Sequence, residues 1–229
     1  MAPPKILPWS VAGAAVKRSV ESIKGCELCL REQVLEDILF ETANFYVALD
    51  ISPIREGHLM IISNEHFGSA GELPDYLRKE LLALKNNLRD LVETTYNKTI
   101  FYEHGRAGHC LKLKDSEVLC NHFHLHAVPT NTDIHELLIK DYPAMKLSSY
   151  ADIFHMYDRY GSYLYFENND SEMYFYPASD ENVAPHLLRS LLCKKLKTPK
   201  KSDWDKYRNQ KELEAARNNY IKNFIKEYQ

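Results

Sequence analysis

The sequence lacks most of the features that would place it outside the ordinary globular class. No run approaches the roughly 18 apolar residues that a membrane-spanning helix needs, so we predict no membrane segment. The net charge is only -3 over 229 residues, which gives no electrostatic case for binding bulk nucleic acid. This length is sufficient for one good core, or for a domain with a substantial extension.

The sequence also lacks the pattern of a secretory signal. A signal peptide is basic first and then continuously apolar, whereas the first 24 residues begin with prolines and a later alanine-rich patch is interrupted by Lys17 and Arg18. We therefore expect a cytoplasmic location, which is reducing. The five cysteines, an odd number, are then expected to be free thiols or metal ligands and not a disulfide framework.

Three histidines fall at alternate positions between Cys120 and Pro129. His122, His124 and His126 have single apolar residues between them, and strict alternation of this kind indicates a half-buried strand. Successive strand side chains point to opposite faces, so the three imidazoles share one face at spacings of roughly 6 to 7 Å while the apolar set enters a core. Such a row of imidazoles predicts a functional site.

Two chemistries can use this row of imidazoles. Neutral imidazole is the commonest metal ligand, so His122, His124 and His126 can together hold a hydrolytic metal. Imidazole is also a nucleophile that can take a phosphoryl or nucleotidyl group covalently and then release it. The three residues alone leave both alternatives open.

The wider pattern favours the second chemistry through a family resemblance. His-apolar-His-apolar-His followed by two apolar residues resembles the histidine triad (HIT) motif. The segment 50–66 is similar to the family's strand, turn and strand, with the step Gly57-His58 and a second histidine at His66. The resemblance covers roughly residues 25–130. It implies an α+β, HIT-like fold in which an antiparallel sheet packs against helices.

The resemblance also implies roles for the triad. His124 would attack the α-phosphorus of a nucleotide conjugate, of the phosphoramidate or dinucleoside polyphosphate type, and form a nucleotidyl-histidine that water or another acceptor resolves. His126 would protonate or hydrogen-bond the departing group, and His122 would support the strand or bind metal. The alternatives are a metallohydrolase that uses all three histidines as ligands and a nucleotide-binding module whose catalysis has decayed.

A Cys-x-x-Cys pair, Cys26 and Cys29, precedes the first predicted strand. By itself the pair suits zinc, redox chemistry or no function. In family members that carry it, a zinc site is completed by the histidine after the second strand and by the first triad histidine, which here are His66 and His122. The resemblance thus implies one structural zinc per chain, with tetrahedral ligands, and no organic cofactor.

Asp50 stands at the end of the predicted strand 45–49. It matches the family position whose acid or amide hydrogen-bonds the ribose hydroxyls, and a carboxylate can accept from both hydroxyls at once. We therefore predict that Asp50 and the adjacent Ile51 bind the nucleotide. The alternative is a turn-forming aspartate ahead of Ser52 and Pro53, which is common.

Periodicity predicts the remaining elements. Leucines at three- and four-residue steps after Pro74, with basic residues such as Lys85 between them, predict a helix with one face on the sheet. Helices are also predicted after Pro185 and from about Asp203 onwards. The predicted strands are 45–49, 58–62, 99–103, 161–166 and 173–176, the third broken at Gly105 and Gly108 and the last two forming a hairpin.

The chain departs from the family pattern just before the triad. Members usually have a glycine- and glutamine-bearing loop that contacts phosphate, whereas this chain has Arg106, His109, Lys112 and Lys114. We interpret these residues as a solvated basic loop, with phosphate contact as the alternative.

We divide the chain into an N-terminal segment (1–24), a HIT-like domain (25–145) and an α/β C-terminal extension (146–229). Within the extension, Arg189 and Trp204 lie in stretches that weakly resemble larger bacterial triad relatives, and we predict a packing role for both. Triad relatives usually pair through a helix and a sheet edge, so a homodimer is the expectation by analogy. The expected partner is otherwise a small nucleotide, with no membrane and no bulk nucleic acid.

Overall fold

The computed structural model describes residue 23 and residues 25–31, 34–108, 111–112 and 119–227. In these ranges the α-helices are Glu27–Leu30 (α1), Asp75–Tyr96 (α2), His135–Leu138 (α3), Asp152–Tyr160 (α4), Leu187–Lys195 (α5) and Gln210–Glu227 (α6). The strands are Ile38–Glu41 (β1), Phe45–Leu49 (β2), Leu59–Ser63 (β3), Ile100–Gly105 (β4), Leu111–Lys112 (β5), Leu119–Cys120 (β6), His124–Val128 (β7), Met145–Leu147 (β8), Tyr163–Glu167 (β9) and Met173–Pro177 (β10). Short 3-10 helices occur at Leu35–Asp37, Ala70–Glu72, Asp180–Asn182 and Pro199–Ser202.

Eight strands form one antiparallel sheet in the order β1-β2-β3-β7-β4-β9-β10-β8, and β5 pairs separately with β6. The predicted α+β class, with an antiparallel sheet packed against helices, is confirmed. No helix in the described ranges is both long enough and apolar enough to cross a membrane.

The two faces of the sheet have different coverings. On one face, which we call the helix face, α2, α4 and α6 bury alternate strand residues such as Val47, Ile61 and Leu125 in one core. On the other, which we call the histidine face, two smaller cores lie side by side. One contains Leu28 of α1 and Met60, and the other is built around α5 with side chains from β4, β9 and β10. The triad histidines lie on this second face.

Helix α2 differs from its prediction at Lys85. The leucines of the predicted stripe are buried, but Lys85, which the pattern assigned to the polar side, is buried as well. Its ammonium group lies 2.5 Å from a carboxylate oxygen of Glu167 in β9, and Arg89 donates to the other oxygen of the same carboxylate at 2.7 Å. A buried lysine needs such a partner. The two cations therefore attach the C-terminal hairpin to α2.

Two strand predictions are corrected in detail. Gly105 was predicted to break its strand, but it is the last residue of β4. Glycine is needed there because a Cβ at this position would lie 2.3 Å from the ring of Tyr163 in β9. The triad strand was predicted to contain all three histidines, but it begins at His124 and so excludes His122. Phe123 donates its amide to the carbonyl of Phe67, so the chain before His124 leaves the ladder.

The extension joins the sheet of the preceding residues. Strand β9 pairs with β4 along its length, and β8 spans the predicted boundary at 145/146. The 161–166 and 173–176 hairpin and the helix after Pro185 are present as β9, β10 and α5. The last helix begins at Gln210, later than the predicted start near Asp203. Most of the predicted segment 1–24 lies outside the described residues.

Glu103 of β4 is buried on the helix face and gives a test of this packing. It accepts hydrogen bonds from the Ala70 amide and from the hydroxyls of Tyr150 and Tyr163, at 2.8, 3.1 and 2.9 Å. Burial nevertheless raises the pKa of Glu103 from 4.5 to about 7. The folded state holds the Glu103 proton more tightly than the unfolded state does. The contribution of protonated Glu103 to the free energy of unfolding is therefore fully present below pH 4.5 and is lost as the pH rises towards 7.

We expect Glu103→Gln to remove that loss. Between pH 4.5 and 7, Glu103 should lower the free energy of unfolding of the wild type by about 3 kcal/mol, and the variant should lack this decrease. Urea denaturation at each pH measures it. The exposed Glu136→Gln is the matched control and should leave the wild-type pH profile unchanged. Identical profiles for Glu103→Gln and the wild type would contradict the raised pKa.

Candidate functional site

A cavity opens on the histidine face, between the two smaller cores. Its lining is mostly apolar with a few polar groups that converge on it, which is typical of small-molecule sites. Its lining comes from α1, the turn after β2, β3, β4, β7, the C-terminal extension and Val34. The lining residues are Glu27, Leu28, Val34, Asp50, Ile51, Met60, Tyr102, His104, His124, His126, His186, Arg189 and Trp204. Both predicted catalytic residues and both predicted nucleotide-binding residues therefore line one cavity.

His124 is held by the backbone of the residue two positions before it. Its Nδ1 lies 2.7 Å from the carbonyl oxygen of His122. A carbonyl can only accept, so Nδ1 carries the hydrogen and Nε2 carries the lone pair. This is the tautomer that a nucleophilic imidazole requires, and the sequence argument expected a backbone acceptor for it.

His126 is held by His58, a residue to which the sequence argument gave no role. His58 Nε2 lies 2.9 Å from His126 Nδ1, and the amide of Ile54 donates to His58 Nδ1 at 3.3 Å. Since Nδ1 of His58 accepts, its Nε2 donates, and the hydrogen of His126 is left on Nε2. Burial lowers the pKa of His58 to about 4, so this neutral arrangement persists at pH 7. The His126 ring also stacks on Tyr102 at 4.3 Å.

Asp50 is buried and already has several partners. One carboxylate oxygen accepts from the Ser52 amide at 2.8 Å, and the other lies 3.2 Å from Arg189 Nη1 and 3.3 Å from His58 Nδ1. Burial acts to raise the pKa of Asp50, but the Arg189 guanidinium and the Ser52 amide outweigh it and hold the pKa below its usual value. Asp50 is therefore ionised, and its ion pair with Arg189 ties the extension to the turn after β2.

The four predicted metal ligands lie together. The ligand atoms of Cys26, Cys29, His66 and His122 are all within 4.8 Å of one another. The sulfur-to-nitrogen distances are 3.4 Å from Cys26 to His122, 3.2 Å from Cys29 to His66 and 3.4 Å from Cys29 to His122. A sulfur and a nitrogen bound to one tetrahedral zinc are roughly 3.5 Å apart, as the usual bond lengths require. The donor set and its spacing fit zinc.

The tautomer of His122 also fits a metal ligand. Its Nε2 lies 2.9 Å from the carbonyl oxygen of Ser63, so that nitrogen donates and Nδ1 presents its lone pair to the two thiols. A further thiol, Cys120, lies beside the group with its sulfur 3.8 Å from His66 Nε2, a neighbour that the sequence argument missed. Cys26, Cys29, Cys120 and Cys193 are free thiols, as expected.

The geometry does not favour the alternative in which the three triad histidines share a metal. Among the described residues, His122 belongs to the cysteine group, His126 to a second group with Asp50 and His58, and His124 to neither. The second group is also unsuited to a cation. The Arg189 guanidinium already pairs with its carboxylate, and His58 and His126 use their facing nitrogens on each other.

Of the four residues of the predicted basic loop, Arg106 is the one whose side chain is described, and it does not line the cavity; it is half exposed and pairs with Glu72. The side chains of His109, Lys112 and Lys114 lie outside the described residues. The extension, in contrast, contributes three cavity residues, His186, Arg189 and Trp204, although the sequence argument gave the last two a packing role. The signal available in the sequence was the weak resemblance of the stretch from Pro185 to Arg189 to larger bacterial triad relatives.

A comparison with known families matches residues 13–142, more than half of the chain, to the family described as "Protein similar to CwfJ C-terminal". The chain belongs to this family. The resemblance to the histidine triad family is thereby confirmed at the level of a HIT-like protein. This match does not show the zinc-binding subtype.

Two relatives carry the same printed description. The chain is 29% identical over 98 residues to the adenosine 5′-monophosphoramidase HNT1 of Candida albicans, a match that covers 40% of this chain and 59% of the relative. It is 27% identical over 117 residues to the enzyme of the same name from Saccharomyces cerevisiae, covering 50% and 68%. The chain thus spans less than two thirds of the length of the first of these relatives.

Solved structures give similar coverage. A HIT family protein from Bacillus anthracis is 20% identical, with a TM-score of 0.38 and coverage of 49% of this chain and 77% of that one. The histidine triad nucleotide-binding protein from Candida albicans is 22% identical, with a TM-score of 0.34 and coverage of 49% and 89%.

Proposed function

We propose that the chain is a nucleotide hydrolase that acts at the α-phosphate of a nucleotide conjugate through a covalent nucleotidyl-histidine on His124. The observation that carries the proposal is the hydrogen bond from His124 Nδ1 to the His122 carbonyl. It leaves the lone pair on Nε2 of a ring that lines the cavity, next to the ring of His126 at 4.8 Å. A neutral imidazole with one free nitrogen is a nucleophile for nucleotidyl transfer.

The proposed reaction has two halves. In the first, His124 Nε2 bonds to the α-phosphorus, the bond from phosphorus to the leaving group breaks, and the leaving group takes the Nε2 hydrogen of His126. In the second, water attacks the phosphorus and gives a proton back to His126 Nε2, the phosphorus-to-histidine bond breaks, and a nucleoside monophosphate leaves. One water is consumed per conjugate. An acceptor other than water would make the protein a transferase, which we keep as an alternative.

The relatives suggest the first substrates to test. Both are named as adenosine 5′-monophosphoramidases, so an adenosine 5′-monophosphoramidate comes first and dinucleoside polyphosphates second. Asp50 and Ile51 are proposed to hold the ribose. The Asp50 oxygens retain lone pairs beyond those that Ser52 and Arg189 engage, since each carboxylate oxygen can accept about two hydrogen bonds.

We further propose that one zinc, held by Cys26, Cys29, His66 and His122, serves structure and not chemistry. Bound there, zinc would supply a rigid tetrahedral crosslink between the start of α1 and the loops beside β3 and β7. Two residues in or next to the proposed ligand set connect this crosslink to the cavity. Leu28 of α1 lines it, and the His122 carbonyl orients His124.

The homodimer and the cytoplasmic location stay predictions. Sedimentation velocity would test the homodimer.

His126 is proposed to donate its Nε2 hydrogen to the departing atom. We expect His126→Ala to slow turnover by roughly 10²- to 10⁴-fold with poor leaving groups and by much less with good ones. The measurement is kcat for a series of phosphoramidates whose leaving amines differ in basicity, and the dependence should be steeper in the variant. An equal loss across the series would show that His126 does not assist departure.

The proposed function is tested by following release of AMP from adenosine 5′-monophosphoramidate. We expect turnover that continues immediately after a chelator is added, because no step uses a metal. Activity that stops at once on chelation would overturn the proposal in favour of a metallohydrolase. Nucleotide binding without turnover on any phosphoramidate or dinucleoside polyphosphate would overturn it in favour of a decayed binding module.

A further inference from the structure

The C-terminal extension supplies one wall of the cavity, and that wall contains the indole of Trp204. Trp204 lines the cavity and packs against the small core that includes Leu28, Ile51 and Met60. These three residues come from the N-terminal part of the chain and line the same cavity. The side chain of Trp204 is only partly buried. A large flat ring beside an apolar patch in the wall of a cavity is suited to stacking on a nucleobase.

The loop that carries Trp204 is fixed to the catalytic half of the molecule by Arg189. This arginine pairs with Asp50 and donates to the Ser52 carbonyl and hydroxyl, while its Nε donates to the carbonyl of Lys201 at 2.9 Å. Lys201 lies three residues before Trp204. The backbone that presents the indole is therefore anchored to the same carboxylate that faces His58.

The indole itself is oriented by His186. Trp204 Nε1 donates to His186 Nε2 at 3.1 Å, and the two rings are inclined at 59° with centroids 6.1 Å apart, so His186 binds the edge of the indole and does not stack on its faces.

We propose that Trp204 is the stacking platform for a purine base and that His186 is the residue that positions it. This inference rests on the proposed nucleotide function and names its substrate class. Stacking uses the π-face that every base has and is stronger for the larger purines. The side chains around Trp204 are mainly apolar, which gives discrimination by ring size and little between adenine and guanine.

The sequence provides a direct optical test, because it contains only two tryptophans, Trp9 and Trp204. In Trp9→Phe protein, titration with AMP or GMP should quench the fluorescence of Trp204, and CMP or UMP should bind more weakly. Trp204→Ala should raise the Kd for AMP, measured by equilibrium dialysis, by roughly 10- to 100-fold and bring it close to that for CMP. Trp204→Phe should retain most of the purine preference.

His186 is tested by variants that separate positioning from packing. Glutamine can accept the indole hydrogen, so His186→Gln should keep the Kd for AMP within about threefold of the wild type, whereas His186→Ala should raise it. In the Trp204→Phe background, which lacks the indole donor, His186→Ala should have no further effect on Kd, as a positioning role requires.

The outcomes separate this inference from the proposed function. Quenching and purine preference in a protein that turns nothing over would leave the stacking site standing while the hydrolase proposal falls. Turnover of adenosine 5′-monophosphoramidate with an unchanged Kd for AMP in Trp204→Ala would leave the hydrolase standing and overturn the stacking site. Binding of AMP by dialysis without any change in Trp204 fluorescence would also overturn it.

Discussion

His124→Asn should fold, bind nucleotide and lose nearly all turnover. The side chain faces the cavity and its ring contributes little to the apolar cores, so the free energy of unfolding should change by less than about 1 kcal/mol. Removal of a nucleophile from a catalytic unit commonly lowers kcat by roughly 10⁴-fold or more. The measurement is kcat for adenosine 5′-monophosphoramidate under saturating substrate, together with the Kd for AMP.

A matched control separates this effect from the general cost of changing a histidine. His155 is exposed on α4, away from the cavity, and His155→Asn should retain wild-type kcat and Kd. If His124→Asn kept more than about a tenth of wild-type kcat on every conjugate that the wild type cleaves, His124 would not be the nucleophile.

Cys26→Ser should produce the largest loss of stability. We expect purified wild-type protein to carry about one equivalent of zinc, and the variant to lose both the metal and more than ~4 kcal/mol of unfolding free energy, since loss of a metal site belongs to the few mechanisms that reach this size. Metal analysis and thermal melts measure the two effects. Turnover should also fall, because α1 contributes Leu28 to the cavity and the carbonyl of His122, a proposed metal ligand, orients His124.

Cys193 provides the control for the thiol itself. It is fully buried in the core around α5 and belongs to no metal group of the described residues. Cys193→Ser should lower stability modestly and leave zinc at one equivalent. Wild-type protein that has never met a chelator and contains less than a tenth of an equivalent of zinc would contradict the site, as would Cys26→Ser protein with full metal and an unchanged melting temperature.

Local patterns in the sequence were sufficient for much of the sheet and for the centre of the site. Alternation around His124 correctly placed Leu125 in the core, because strand period and burial are properties of a few neighbouring residues. The strand at Phe45–Leu49 was predicted at its observed bounds for the same reason. The grouping of Cys26 with His122 was predicted from the family resemblance and not from the spacing of the residues. The structure places their ligand atoms close together.

The contacts that the sequence argument missed join residues far apart in the chain. Arg189 reaches Asp50 across 139 positions, and Lys85 reaches Glu167 across the boundary of the predicted extension. An amphipathic pattern assigns an isolated lysine to solvent, and only the folded hairpin supplies the carboxylate that makes its burial favourable. His58 was visible as the Gly-His step, but its role depends on the neighbouring His126 of another strand.

The covalent nucleotide on His124 is tested most directly by intact-mass spectrometry of protein mixed with adenosine 5′-monophosphoramidate and quenched rapidly in alkaline denaturant, which preserves a phosphorus-to-histidine bond. We predict a mass gain of one AMP less one water, mapped by fragmentation to His124 and absent from His124→Asn protein. Turnover without any adduct, an adduct on another residue, or an adduct that persists in His124→Asn protein would contradict the covalent mechanism.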